Sequence, residues 1–583
     1  MLRKVTLLVF GLLLTAALLL GACQPAAPAT QQPEEEAPAA QEAAQEEQPA
    51  PTEEEPAPEE NAAAEEPATV EEPAADEEAS ASGGTIHLYS VNDPDTFDIH
   101  KRSGTNLMDE LYGATLLTVD PETREYIPYL AKSFTVSDDG LTYEFKLRED
   151  VTFSNGDPLT AHDFVYTIQR ATDPEMASPM SGTIWGPVVD YEAVDDYTLR
   201  LSLGEPNFPW IIGIAQVASQ PLSQRAIEEL GEDYEWNPVG VGPFIVDEYT
   251  VGEKIVLVRN PDYNWAPAFL EQGPAKVDAV EFRIIPEYAT RVAGLEAGEL
   301  DMTDISYQDF SRFQEDPLFE IITDYPQGMG PFVAFNLSKP PFDDLRVRQA
   351  FSYAVNHDAL VTLMLQGNGE PLYGPITKNT IGYDPFVEEI GYHYDVEKAK
   401  ELMLEAGYTY DDEGMLLTPE GEPFVLEMPV RGGDTDDRGK MAEILSEQFK
   451  AFGVQIEITV EDSALNWGRL IGGDYQISIS GLGWPDAEMM YIALHSSFLG
   501  TVNLSQANDP VLDELLTTTR TAVDPAERQE AVNAAVTYIV ENALLAPIYS
   551  SKIYFAINNR VDGYLYSPPT GQLWLTNAYI VEP

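Results

Sequence analysis

The chain has 583 residues, with 99 Asp or Glu against 32 Lys or Arg, giving a net charge of −67 and a pI near 4.1. Negative charge on that scale repels nucleic acid and anionic lipid surfaces, so nucleic-acid binding is excluded as a class. The length suits two or three domains, hydrophobic residues at 44 % can build large cores, and a single cysteine permits no intrachain disulfide.

Residues 1–22 open with Arg3 and Lys4 and continue as an apolar run from Val5 to Leu20. This pairing of a charged and a hydrophobic region reads as a secretory signal. An uncleaved membrane anchor is the alternative, but the run falls short of the roughly 20 residues that span a bilayer. Leu20-Gly21-Ala22-Cys23 resembles the lipobox of bacterial lipoproteins. The resemblance implies cleavage before Cys23, acylation of Cys23 and an extracytoplasmic chain anchored to the cell membrane by lipid. Residues 24–82 are built from Ala, Pro, Glu and Gln, with 18 acids and no Lys or Arg. Such a composition buries no core and is expected to be a disordered leash. With those 18 acids and the two N-terminal bases set aside, about −51 remains on the rest, so the globular body is acidic as well.

The globular part is expected from Gly83. Residues 85–91 read as a strand, and 106–117 as a helix with Leu107, Leu111 and Ala114 on one face. In the stretch 141–170, Tyr143, Phe145 and Leu147 alternate with Glu144, Lys146 and Arg148, the period of a half-buried strand. Ser154-Asn155-Gly156-Asp157-Pro158 reverses the chain. Thr160 and Asp163 then stand as a helix N-cap and an acid at the third helical position, with Phe164 and Ile168 four apart on the buried face.

That stretch resembles the signature of the extracellular solute-binding proteins of family 5, the peptide, nickel and oligosaccharide receptors of ABC importers. Phe145, Leu147, Arg148, Val151, Phe153, Asn155, Gly156, Pro158, Thr160, Ala161, Asp163 and Phe164 carry the match. Gly240, Gly242, Pro243 and Phe244, then Asn260-Pro261-Asp262-Tyr263, extend it, with Val241 where the family has Thr. A second strong signature runs through Phe335-Asn336 and from Pro341-Phe342 to Ala350, a strand, a Pro-Pro turn and an Asp-capped helix with paired arginines. Amphipathic helices are expected at 399–407 and 441–458, the latter leading into a strand at 454–460, and a helix followed by a strand over 524–549.

The resemblance implies an α/β fold of the two-lobed periplasmic-binding-protein type (type II, large cluster C-like), with an extra subdomain in the first lobe. The expected organisation is a signal at 1–22 and a lipidated Cys23 with its linker to 82. The first lobe would take 83–330 and 536–583, its subdomain about 121–235, and the second lobe 331–535. The implied partners are an oligopeptide or other small solute, ABC permease subunits and, through the lipid, a membrane. The chain is expected to act as a monomer without a cofactor.

Motifs for chemistry fail on inspection. The six histidines, at 87, 100, 162, 357, 393 and 495, form no His-Glu-x-x-His pair, and no Gly-x-Ser-x-Gly elbow occurs. Gly439-Lys440 lacks both the leading glycine and the following Ser or Thr of a phosphate loop. Asp434, Asp436 and Asp437 read as a solvated turn before a calcium loop. The chain is therefore read as a binding protein and not an enzyme.

For the ligand site, the candidate is 477–490. Ile477 and Ile479 alternate on a strand, then Gly481 and Gly483 break it and expose Trp484. In the peptide-binding branch a Gly-Trp-x-x-Asp string lies here, its backbone pairing with the peptide and its Asp taking the α-ammonium, which implies these roles for Gly483, Trp484 and Asp486. Asp486 comes two residues after Trp484 instead of three, and Pro485 removes one N–H, both against a peptide. Trp484 alone would suit stacking on a sugar ring. Arg431, after the strand-like run 424–430, is a candidate partner for an anionic group, and Tyr112 a further cleft residue. Trp185, Trp210 and Trp467 are aromatics that a sugar site would use.

Overall fold

Alternation at 141–147 becomes a strand, Thr142–Leu147, with Tyr143, Phe145 and Leu147 at most 1 % exposed and Lys146 facing solvent. In the computed structural model, which describes residues 83–102, 104–432 and 437–581, it lies in a four-stranded antiparallel sheet. The order is Ala131–Val136, Thr142–Leu147, Thr198–Leu203, Val188–Asp195. The helix Ala161–Ala171 follows the turn, and the Asp163 carboxylate accepts from both the backbone N–H and the hydroxyl of Thr160, each at 2.9 Å. Phe164 and Ile168 are fully buried under this sheet's core, together with Trp185 and, nearly so, Trp210. That core reaches on to Tyr263 and Trp265, well past the expected subdomain limit near 235. The expected signal, Cys23 and the linker all lie outside the described residues, as do Asp434 and Asp436.

A second four-stranded sheet carries the first lobe. Thr85–Ser90 pairs in parallel with Ala279–Ile284, which pairs antiparallel with Lys254–Arg259 and that with Phe244–Thr250. Ile86, Leu88, Leu257, Val280 and Phe282 fill its core. Beside it, Ile553–Asn558 lies between Met302–Ile305 and Phe319–Asp324, antiparallel to both. The helix expected over 106–117 is shorter, Leu107–Tyr112. Gly113 ends it where a Cβ would meet the Gln220 side chain and the Asp109 carbonyl. Leu117–Val119 is then a strand, as its β-branched residues favour.

The second lobe is built on Met329–Phe335, flanked by Ile477–Leu482 and Leu545–Pro547. The parallel pair Val425–Arg431 and Gln455–Glu461 is joined through the helix Arg438–Lys450. Asp344 caps the helix Leu345–Tyr353 by accepting from Arg346 N–H at 2.9 Å. Of the paired arginines, Arg346 is exposed on Asp344, whereas buried Arg348 donates to the carbonyl of Asn542 at the end of another helix. That helix, Pro525–Glu541, runs unbroken through the boundary expected at 535/536. Val532, Val536, Ile539 and Val540 all pack into one second-lobe core with Met490 and Leu512. The chain therefore stays in this lobe through Leu545–Pro547. Two short crossings join the lobes, 325–328 and the step at Lys552 between Tyr549–Ser551, paired with Gly369–Pro371, and Ile553–Asn558. No helix among the described residues is long and apolar enough to cross a membrane.

Candidate ligand-binding site

A cavity of about 900 Å³ opens in the first lobe at the carboxyl ends of Thr85–Ser90 and Ala279–Ile284. In open α/β sheets this is the edge where ligands bind, because the loops leaving the strands diverge there. Leu88, Phe282, Met108 and Leu573 give it an apolar floor, and Tyr89, Asp93, Asp95, Glu110 and Tyr566 add polar groups.

The helix Leu107–Tyr112 builds one wall. Asn106 and Asp109 cap it reciprocally: Asn106 N–H donates to Asp109 Oδ2 at 2.8 Å, and Asp109 N–H to Asn106 Oδ1 at 3.3 Å. The Asp109 carboxylate, fully buried, also holds the Arg102 guanidinium and the Tyr112 hydroxyl. Glu110 follows on the cavity side, half-buried, with the Gln572 side chain for a neighbour. Burial, and next the charge of Asp109, push its carboxyl up to about 8. The opposite wall bears Tyr566, whose hydroxyl donates to Asp324, the last residue of its strand before the crossing at 325–328. Asn379 of the second lobe donates to the other Asp324 oxygen. One wall of the cavity is thus hydrogen-bonded to the point where the lobes join.

The residues expected at the site fall elsewhere, and none of them lines this cavity. Tyr112 is 3 % exposed, its ring in the core and its hydroxyl donating to the Phe97 carbonyl and to Asp109, each at 3.0 Å. Gly483 is exposed, as the break after Ile477–Leu482 requires. Trp484 is half-buried against the second-lobe core, its Nε1 without a hydrogen-bond partner. The backbone beside it is occupied: Ile381 N–H donates to the Pro485 carbonyl at 2.8 Å and Ala487 N–H to the Ile381 carbonyl at 2.9 Å.

Asp486 is the plainest correction. It is fully buried, with Oδ1 2.6 Å from Arg528 Nη2, Oδ2 3.1 Å from Nη1, and Glu488 N–H donating to Oδ1 at 2.8 Å. Arg528 is 6 % exposed, so this is a bidentate ion pair inside the protein and leaves no free carboxylate for an α-ammonium. Arg431 is exposed at the end of its strand, opposite Glu461 in the register. Trp185 and Trp210 are core residues, and Trp467 is 40 % exposed on a second-lobe helix. The sequence did carry a signal for the residues that do line the cavity. Asn92-Asp93-Pro94-Asp95 is dense in turn formers just after a strand, and Asn106-x-x-Asp is a capping pattern just before Glu110.

The family described as bacterial extracellular solute-binding proteins, family 5 Middle, matches residues 125–499. The heme-binding protein A of Haemophilus influenzae is 27 % identical over 469 residues, covering 76 % of this chain and 82 % of that protein. The glutathione-binding protein GsiB of Escherichia coli K12 is 26 % identical over 454 residues, covering 76 % and 84 %. Among solved structures, the ABC transporter substrate-binding protein CtaP of Listeria monocytogenes is 26 % identical with a TM-score of 0.72, covering 86 % of this chain and all of that one. HbpA2 of Haemophilus parasuis, at 24 % identity, shares the fold with a TM-score of 0.75 over 86 % and 100 %. Members of this family are receptors and not enzymes: they bind small solutes outside the cytoplasm and deliver them to ABC permeases. With two α/β lobes, two crossings between them and the family's sequence over most of its globular part, the chain belongs to the extracellular solute-binding proteins of family 5.

Proposed function

We propose that this receptor captures oligopeptides between its lobes and hands them to a membrane permease, held near it by a lipid on Cys23. The observation that carries the reading is the cavity at the carboxyl ends of Thr85–Ser90 and Ala279–Ile284, tied through Tyr566, Asp324 and Asn379 to the crossing between lobes. A ligand there meets both lobes when they close, and closure buries it. Neighbours of the same fold support a peptide. DppA of Helicobacter pylori is described in complex with peptide STSA, and AppA of Bacillus subtilis in complex with a nonapeptide. Residues 1–22 act as the signal, the acidic linker as a leash, and the receptor works as a monomer.

A thermal-shift screen of the full chain against di- to pentapeptides and oligosaccharides tests the reading. A peptide at 100 times its Kd adds about 2.7 kcal/mol of stability. Stabilisation by peptides supports the proposal, whereas stabilisation by oligosaccharides alone overturns the peptide reading and makes Trp484 the residue to change. Radiolabelled palmitate incorporated by the unchanged chain and lost in Cys23→Ala supports the anchor; no label in either overturns it.

A further inference from the structure

Glu110 is a carboxyl on the wall of an apolar-floored cavity, and no guanidinium or ammonium faces it among the described residues. Its neighbour Asp109 already holds Arg102, the one basic residue among those lining the cavity. The remaining acids of the lining, Asp93 and Asp95, add to the negative field, and Asp93 is half-satisfied by Tyr249 O–H and Gly252 N–H at 2.9 and 2.8 Å. Three other buried acids have a cation, Asp486 with Arg528, Asp109 with Arg102 and Asp301 with Arg560, and buried Asp324 is held by Asn379 and Tyr566. Glu110 stands apart from this pattern at the one place where a cavity adjoins it.

A carboxylate taken from water without a partner costs several kcal/mol or picks up a proton. The upward shift of Glu110 is the second outcome, and it is reversed when a cation arrives. The floor of Leu88, Met108, Phe282 and Leu573 can receive the alkyl part of the same solute.

We infer that Glu110 is the residue that receives the ligand's cationic group, so the cavity takes a solute bearing an ammonium or guanidinium. The inference rests on the receptor reading above and moves the cation-binding acid from the second lobe, where Asp486 is committed to Arg528, to the first.

The test uses the full chain, its Glu110→Gln and Glu110→Asp variants, and three probes. Trialanine amide carries an ammonium, N-acetyl-Ala-Ala-Arg amide only a guanidinium, and N-acetyl-trialanine amide no charge. Calorimetric titration is expected to show binding of at least one cationic probe at least tenfold tighter than the neutral one. Glu110→Gln removes that preference and Glu110→Asp keeps part of it; which cationic probe binds identifies the ammonium or the guanidinium as the group recognised. Without ligand, Glu110→Gln is expected to melt no lower than the unchanged chain, because it deletes a half-buried carboxyl that has no cation beside it. A lower melting temperature for the unliganded Gln variant would assign Glu110 a structural role and overturn the inference. Equal binding of neutral and cationic probes, or a preference that survives Glu110→Gln, overturns it while leaving the receptor reading intact. Binding of none of the three by the unchanged chain overturns the peptide reading and this inference with it.

Discussion

Asp486 and Arg528 stand 42 positions apart, and no pattern in the sequence links them. The resemblance drew attention to Asp486 through the Gly-Trp string. At Asp486 the backbone makes a single bridge to Ile381 before turning into the helix Glu488–Leu494. Asp486 and Ala487 are both buried, and it is the ion pair with Arg528 that commits the Asp486 side chain inward. Breaking a buried pair by removing one partner leaves a charge without compensation, at about 3–5 kcal/mol. Asp486→Asn is therefore expected to lower the urea midpoint strongly while leaving ligand selectivity unchanged; an unaltered midpoint would mean that the pair is not formed. Next to it Glu488 is also buried, 3.0 Å from Arg520, and burial above all pushes its carboxyl up to about 8. Its folded value lies above the unfolded one, so the proton it holds contributes stability below about 4.5 that is lost as pH rises through 8. Comparing the chain with Glu488→Gln between pH 6.5 and 9 should show the difference in stability moving in favour of the variant; parallel pH curves would contradict the shift. His100 works the other way. Burial and then Arg170 hold it down to about 3, so its contribution is present above 6.5 and lost as pH falls through 3.

Elements were legible where a period ran long enough to exclude alternatives. The strand Thr142–Leu147, the turn after it and the capped helix Ala161–Ala171 follow from alternation, turn formers and the Thr-x-x-Asp pair, and each lies where those signals put it. Phe164→Ala in that helix should cost about 3–5 kcal/mol, as other buried Phe truncations do, because the sheet above it cannot follow the lost ring. Denaturation monitored by far-ultraviolet circular dichroism measures it, and a loss below 1 kcal/mol would show the site collapsing to fill the space. Ends were harder to read. Leu107, Leu111 and Ala114 suggest a helix to 117, but Gly113 packs against the Gln220 side chain, a contact that no local pattern encodes. The lobe boundary at 535/536 failed for a related reason. The apolar face of Pro525–Glu541 is continuous, and only the partners Met490 and Leu512 reveal which lobe it serves. The cavity was less legible than either, since its walls come from segments more than 450 residues apart, such as Tyr89 and Leu573.

At the scale of the molecule, the lobes also meet away from the crossings. The Arg520 carbonyl accepts from Phe208 N–H at 2.8 Å, and its guanidinium lies 3.2 Å from Glu205 and 3.0 Å from Glu488. Glu205 and Phe208 belong to the first lobe's subdomain, whereas Arg520 lies in the last turn of the helix Pro510–Thr521 of the second. Phe208 also packs edge-on against Tyr126, with the Arg528 guanidinium 6.0 Å from its ring. This contact exists only while the second lobe lies against the subdomain, so it weights the equilibrium toward the conformation described here. A ligand that needs that conformation binds with an apparent Kd equal to its intrinsic Kd divided by the fraction of chains in it. Arg520→Ala removes the interaction with Glu205 and leaves Glu488 to take a proton, while the backbone bond to Phe208 persists. Partial opening is the expected outcome: a larger radius of gyration by small-angle scattering without ligand, a two- to tenfold weaker Kd equal to about 0.4–1.4 kcal/mol, and recovery of the original radius at saturating ligand. The order of these changes separates a weighting of lobe closure from damage to the site. A variant that keeps the original radius yet binds more weakly would place Arg520 in ligand contact, and one that keeps both would show the lobes to be held by the crossings alone.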